Sequence, residues 1–90
     1  ALRYRPQQAR AIITNRSSLL LETGRFSEAI SDLDYLISIE PLNPDHYFNR
    51  STARIVTGNR AGAVDDLRAV LKLSPGDREA AERLKMLTQQ

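Results

Sequence analysis

The chain repeats itself at a spacing of 34 residues, and this constrains its fold more than any other feature. Displaced by 34, Asn15-Arg16-Ser17 falls on Asn49-Arg50-Ser51, and Thr23-Gly24 on Thr57-Gly58. Ala29 falls on Ala63, Asp32-Leu33 on Asp66-Leu67, and Pro41 on Pro75. Conservative matches fill the gaps: Ser18 with Thr52, Leu21 with Ile55, Ile30 with Val64, Leu36-Ile37 with Val70-Leu71, and Ile39 with Leu73. The alignment needs no gap. A fixed period of this length marks a supersecondary unit that buries its apolar face by stacking on its neighbours.

Each unit reads as two helices. The first runs from about Gln7 to Glu22 and stops at Thr23-Gly24, where glycine can take the left-handed conformation that ends a helix. The second runs from about Phe26 to Ile39. Its apolar residues Phe26, Ala29, Ile30, Leu33, Leu36 and Ile37 recur at helical spacing, and Pro41 follows. Asn43 then reads as an N-cap with Pro44 at the first helical position. The second unit predicts helices from about Pro44 to Val56 and about Arg60 to Leu73, the latter with Ala63, Val64, Leu67, Val70 and Leu71 on its stripe. Pro75-Gly76 closes it, and Asp77 caps a fifth helix over about Arg78 to Thr88. No segment alternates with period two, so no strand is predicted. Gly62 inside a helix is a weak point, costing roughly 1 kcal/mol relative to Ala.

Ninety residues make one small domain, and with 6% aromatic residues and no Trp its core must be mostly aliphatic and Ala. Absence of Cys removes disulfides, thiolate metal sites and cysteine nucleophiles. His46 is the one histidine, so a His pair for metal or catalysis is ruled out, and it reads as a surface or packing residue. The four glycines are scattered and form no phosphate loop. Asp65-Asp66, or Asp32 and Asp34, point to different sides of a helix and form no acid/base pair. The chain therefore reads as non-catalytic, with no cofactor and no metal. No apolar run approaches the ~18 residues of a membrane span.

Net charge is only +2, but it is unevenly placed. Arg3, Arg5, Arg10 and Arg16 crowd the start; Glu28, Asp32, Asp34, Glu40 and Asp45 follow, as solvated faces usually do. The acids interleave with bases and few aromatics are available for stacking, which argues against nucleic acid. One polar pair recurs: Arg16 with Asp32, and Arg50 with Asp66. Both members fall where the helices of a unit meet, which predicts a partly buried salt bridge in each unit.

From about Arg10 to Asp77 the sequence resembles the tetratricopeptide repeat, a 34-residue helix–turn–helix unit. The resemblance rests on the small Ser17 and Ser51, on Ala29 and Ala63, and on the large apolar Leu33 and Leu67. Gly24 and Gly58 match its intra-repeat turn, and Pro41 and Pro75 its terminal proline. Ile13 and Tyr47 stand where the family has Trp, Arg16 and Arg50 where Leu is commonest, and Leu36 and Val70 where Ala is usual, implying wider helix packing. Arg54 replaces an apolar residue that Leu20 supplies in the first unit. The resemblance implies an all-α fold: a right-handed α-α superhelix of two hairpins plus a C-terminal capping helix. The units are 1–9 as lead-in, 10–43, 44–77, and 78–90 as the cap. Residues Ala1 to Pro6 read as the remnant of a preceding helix. Either the parent protein continues upstream, or two chains pair as a homodimer through the exposed end.

The resemblance further implies a scaffold that binds a protein or peptide partner in its concave groove. The alternative is a structural module that self-assembles through its repeat ends. Carried over residue by residue, the groove comprises Thr14, Asn15, Ser18, Leu21 and Glu22 from the first unit. The second unit gives Asp45, Phe48, Asn49, Thr52, Ile55 and Val56, and the cap gives Glu79, Glu82, Arg83 and Met86. Asn15 and Asn49 carry amides able to bond a peptide backbone as both donor and acceptor. Some family members clamp the C-terminal carboxylate of a chaperone peptide with Lys, Asn and Arg. Here Asn49 and Arg83 match, but Thr14 and Ser18 replace the first Lys and Asn, and Glu79 replaces a second Lys. That leaves too little positive charge for a carboxylate. Phe48, Ile55 and Val56 imply instead a partly apolar groove for an extended or helical peptide.

Overall fold

The computed structural model describes residues 5–89 and contains five α-helices, with no strand among those residues. They are α1 (Pro6–Glu22), α2 (Phe26–Ile39), α3 (Pro44–Val56), α4 (Arg60–Leu73) and α5 (Arg78–Thr88). Each packs chiefly on the next in sequence, giving an elongated body of 52 × 26 × 17 Å. The 34-residue period survives in three dimensions. α2 displaced by 34 gives the bounds of α4, and α3 and α5 both begin on the same register. α5 thus starts on the register of α3 and is laid over α4. α1 departs from this register: it starts at Pro6, inside the stretch read as a lead-in. Gln8 Oε1 accepts from the Arg5 amide and holds that first turn. Of the stretch Ala1 to Pro6 read as the remnant of a preceding helix, Arg5 and Pro6 instead cap and open α1, and the rest lies outside the described residues.

The turns within units are built alike. Gly24 and Gly58 have φ of +80° and +87°, which disfavours any side chain there. The Arg25 amide then donates to Leu20 O at 2.8 Å, and Asn59 to Arg54 O at 2.7 Å. Together with Gly24 N to Leu21 O and Gly58 N to Ile55 O, these close the helix ends in Schellman fashion. Asn43, Asn59 and Asp77 side chains cap the starts of α3, α4 and α5.

The core is supplied mainly by α2 and α4: Ala29, Leu33, Leu36, Ala63, Leu67 and Val70 are fully buried. Phe26, Ile30, Ile37, Val64 and Leu71 flank this stripe at intermediate exposure. Ser17 and Ser51 are buried, each hydroxyl returning to a carbonyl of its own helix, Thr14 O or Phe48 O. Leu67, Val70 and Ala80 form a cluster against which Tyr47, Phe48, Leu71, Leu84 and Leu87 pack, so α5 covers the apolar face that α4 would otherwise expose.

Gly62 reverses its expectation. It is the third residue of α4, where its amide donates to the Asn59 cap at 2.9 Å and its carbonyl accepts from Arg54 Nη1 at 3.2 Å. A Cβ here would lie 2.5 Å from Asn59 Nδ2 and 3.0 Å from Arg54 Cδ. Alanine would gain about 1 kcal/mol of helix propensity but displace a cap worth about as much. Gly62→Ala is therefore expected to leave the thermal midpoint unchanged or lower; a clear rise in a thermal melt would contradict this.

Candidate functional site

α3 and α5 are both first-type helices, and they converge at the C-terminal end of one face. Between them lies a groove of about 480 Å³ lined by Thr52, Ile55, Val56, Glu79, Glu82, Arg83, Met86 and Leu87. Its floor is apolar, and Val56 (58% exposed) and Met86 (71%) remain open to solvent. Arg83 forms one wall. Its guanidinium stacks 4.5 Å over the Phe48 ring, and its Nη1 donates to Thr52 Oγ1 at 2.7 Å. It is thereby held within the chain, with Glu79 3.7 Å away. Leu87 was absent from the sequence-derived set, although it lies four residues after Arg83 and so shares its face.

Two smaller recesses continue toward α1. One, of about 320 Å³, is lined by Thr14, Ser17, Ser18, Asn43, Asp45, His46, Phe48 and Asn49. The other, of about 330 Å³, is lined by Arg10, Ala11, Thr14, Asn15, Glu40, Asn43 and His46. The groove residues read from sequence thus divide into an apolar end and a polar end. Asn15 and Asn49 open into different recesses. Leu21 and Glu22 line none of these three; they occupy the last turn of α1, beside the Thr23-Gly24 turn.

His46 is not a surface residue. It is buried at the start of α3, with Nε2 2.7 Å from Glu40 Oε1; Glu40 Oε2 accepts from Arg10 Nη1 at 2.9 Å. One carboxylate at the end of α2 therefore ties α1 to α3 beneath the polar recesses. The bond from His46, and then that from Arg10, holds the Glu40 carboxyl below its ordinary value of 4.5. A depressed carboxylate stabilises the fold above the unfolded value, and this contribution is lost as pH falls through the folded value. Glu40→Gln is expected to destabilise the chain at neutral pH, and the gap from wild type should narrow as pH falls below the ordinary carboxyl value of 4.5. Denaturant melts across that range check this; a gap independent of pH would contradict it.

The recurring charge pair takes the same form in both units. Arg16 Nε donates to Asp32 Oδ2 at 2.8 Å, and Arg50 Nη2 to Asp66 Oδ1 at 2.7 Å. The second pair extends into a network that the sequence did not disclose. Arg50 Nη1 also reaches back to Asp34 of the first unit at 2.8 Å, and Arg54 Nη1 donates to Asp66 Oδ2 at 3.1 Å. The two arginines differ in burial: 58% of the Arg16 side chain is exposed, against 17% of Arg50. Burial works to lower the Arg50 value, but the bonds to Asp66 and Asp34 win and raise it overall. The acidic run is therefore not simply a solvated face. Asp32, Asp34 and Glu40 each hold an arginine from a neighbouring helix.

Among the described residues, no group of three or more His, Cys, Asp or Glu is placed to hold a metal ion, and no helix is long and apolar enough to cross a membrane. No protein-family model matches the chain. Three curated proteins are similar to it. The peptidyl-prolyl cis-trans isomerase FKBP42 of Arabidopsis thaliana is 30% identical over 84% of this chain and 21% of its own length. The tetratricopeptide repeat and J domain-containing co-chaperone DNJ1 of Cryptococcus neoformans var. grubii is 31% identical over 91% and 16%, respectively. RNA polymerase II-associated protein 3 of Xenopus laevis is 32% identical over 86% and 12%. The chain thus spans about a fifth or less of the length of each of these relatives.

Proposed function

We propose that this chain is a tetratricopeptide-type interaction module that holds a peptide or helix of a partner protein on the face formed by α1, α3 and α5. The observation that carries this reading is the groove between α3 and α5. It is apolar, shaped by two helices on one register, and leaves Val56 and Met86 uncovered. The units 10–43 and 44–77, followed by a cap from 78, supply the scaffold. Similarity to a protein named as a tetratricopeptide co-chaperone supports an adaptor role.

The groove favours the body of a peptide over a terminal carboxylate. Arg83 is occupied by Phe48 and Thr52, and Glu79 and Glu82 stand on the rim. An apolar side chain would enter between Ile55, Val56, Met86 and Leu87. The polar recesses near Asn15 and Asn49 would accept backbone groups through their amides. Selection from a random peptide display library on the immobilised chain tests this reading. It predicts enriched sequences with an internal aliphatic or aromatic anchor. Recovery of no binder, or of binders that all require a free C-terminal carboxylate, would count against it.

A further inference from the structure

The groove between α3 and α5 is opposite in charge to the molecule that holds it. The chain has a net charge of +2, yet the ionised residues lining the groove are Glu79, Glu82 and Arg83, two acids against one base. Asp45 adds a further acid in the recess that continues past Phe48. Arg83 offers little free positive charge. Its guanidinium is stacked on Phe48, bonded to Thr52 Oγ1 and only 29% exposed, with Glu79 3.7 Å away. The acids are open by contrast. The Glu79 side chain is 73% exposed, and Glu82 and Asp45 are exposed and form no ion pair among the described residues. The apolar floor thus has an acidic rim whose one cation is already engaged.

We infer that the occupant of this groove is a basic peptide, with one apolar anchor side chain and Lys or Arg close beside it. This rests on the reading of the groove as the binding site and adds the charge of what binds there. Glu79, Glu82 and Met86 share one face of α5, Glu82 four residues before Met86 and Glu79 seven. The rim carboxylates therefore stand about 6 and about 10 Å along the helix from the apolar floor at Met86. An extended peptide covers those distances in about two and about three residues. A Lys or Arg placed there would lay its aliphatic stem over the floor and its charge against the rim. An acidic peptide with the same anchor would set like charges together. Because the molecule as a whole is positive, it does not gather basic peptides at long range. Selection falls instead on where the base sits relative to the anchor, within a Debye length of the two glutamates.

The test uses peptides from the random display library, each also synthesised with its basic residues replaced by Gln. Both forms are titrated by calorimetry against the chain and against a Glu79→Gln, Glu82→Gln double variant, with thermal melts as the check on folding. Lys or Arg should be enriched within about three residues of the anchor. Neutralising either the peptide or the rim should weaken binding about tenfold at about 0.05 M salt, as the loss of two surface pairs does. Neutralising both should cost less than about twofold more, and the differences should shrink at about 0.5 M salt. If the double variant melts early, Glu82→Gln alone should still weaken binding about threefold. Binders with an internal apolar anchor but no basic enrichment, or unchanged affinity for the neutralised rim, would overturn the basic occupant and leave the groove reading standing. Recovery of no binder, or undiminished binding of the same peptides to a Val56→Asp, Met86→Asp chain, would overturn both.

Discussion

Asp66→Ala is expected to cost about 3–5 kcal/mol of folding stability. Asp66 is fully enclosed between α3 and α4, and its two oxygens accept from Arg50 Nε and Nη2 and from Arg54 Nη1. Removing the carboxylate leaves two partly buried guanidinium groups with Asp34, on the surface side, as their remaining counter-charge, and Arg54 with the Gly62 carbonyl. A domain of this size has a total stability of about 5–13 kcal/mol, so the loss is a large fraction of it. Arg50→Ala should be similarly severe, because it strands Asp66 and also cuts the link to the first unit. Arg16→Ala should be milder than Arg50→Ala. Its guanidinium is mostly solvated, and Asp32 borders a surface recess with Leu20, Glu28 and Ser31 through which water can reach it. Denaturant unfolding monitored by circular dichroism measures all three. Equal effects of Arg16→Ala and Arg50→Ala, or a loss below about 1 kcal/mol for Asp66→Ala, would show that the network behaves as an exposed pair.

The second large effect concerns binding. A chain carrying both Val56→Asp and Met86→Asp should fold with nearly wild-type stability, since both side chains are mostly solvent-exposed and such changes usually fall within about 0.5 kcal/mol. Its affinity for a groove ligand should nevertheless fall at least about 30-fold, the consequence of losing roughly 2 kcal/mol at a central apolar anchor. Two carboxylates placed beside Glu79 and Glu82 would have to be desolvated against an apolar side chain. Calorimetric titration of library-selected peptides measures this. Unchanged affinity would place the binding surface elsewhere on the molecule.

Helix limits were legible from the sequence because local rules and the repeat agreed. Glycine at 24 and 58, the Asn43-Pro44 start and the Asp77 cap each mark a boundary whose chemistry needs no tertiary information. The start of α1, read at about Gln7, falls at Pro6, although the register shared by α3 and α5 does not apply there. The pairs Arg16–Asp32 and Arg50–Asp66 could be proposed because they recur at the period. Asp34–Arg50 and Arg54–Asp66 could not, because neither recurs: the counterparts of Asp34 and Arg54 are Arg68 and Leu20. Gly62 misled for a related reason. Helix propensity treats it alone, whereas its space is taken by Asn59 and Arg54. On the candidate face, spacing along a helix indicated which residues share a side, but not where the face divides. The apolar end forms only because α5 closes on α3, and His46 leaves the surface only because Glu40 and Arg10 meet it from two other helices.

The central claim is that the α3–α5 groove receives the partner. The most direct measurement is a map of amide chemical-shift changes on the labelled chain as a library-selected peptide is added. The account predicts that the largest changes cluster at Thr52, Ile55, Val56, Arg83, Met86 and Leu87, with smaller ones extending toward Asn49 and Asn15. Changes concentrated on the outer faces of α2 and α4, with the α3–α5 groove unmoved at saturation, would contradict it.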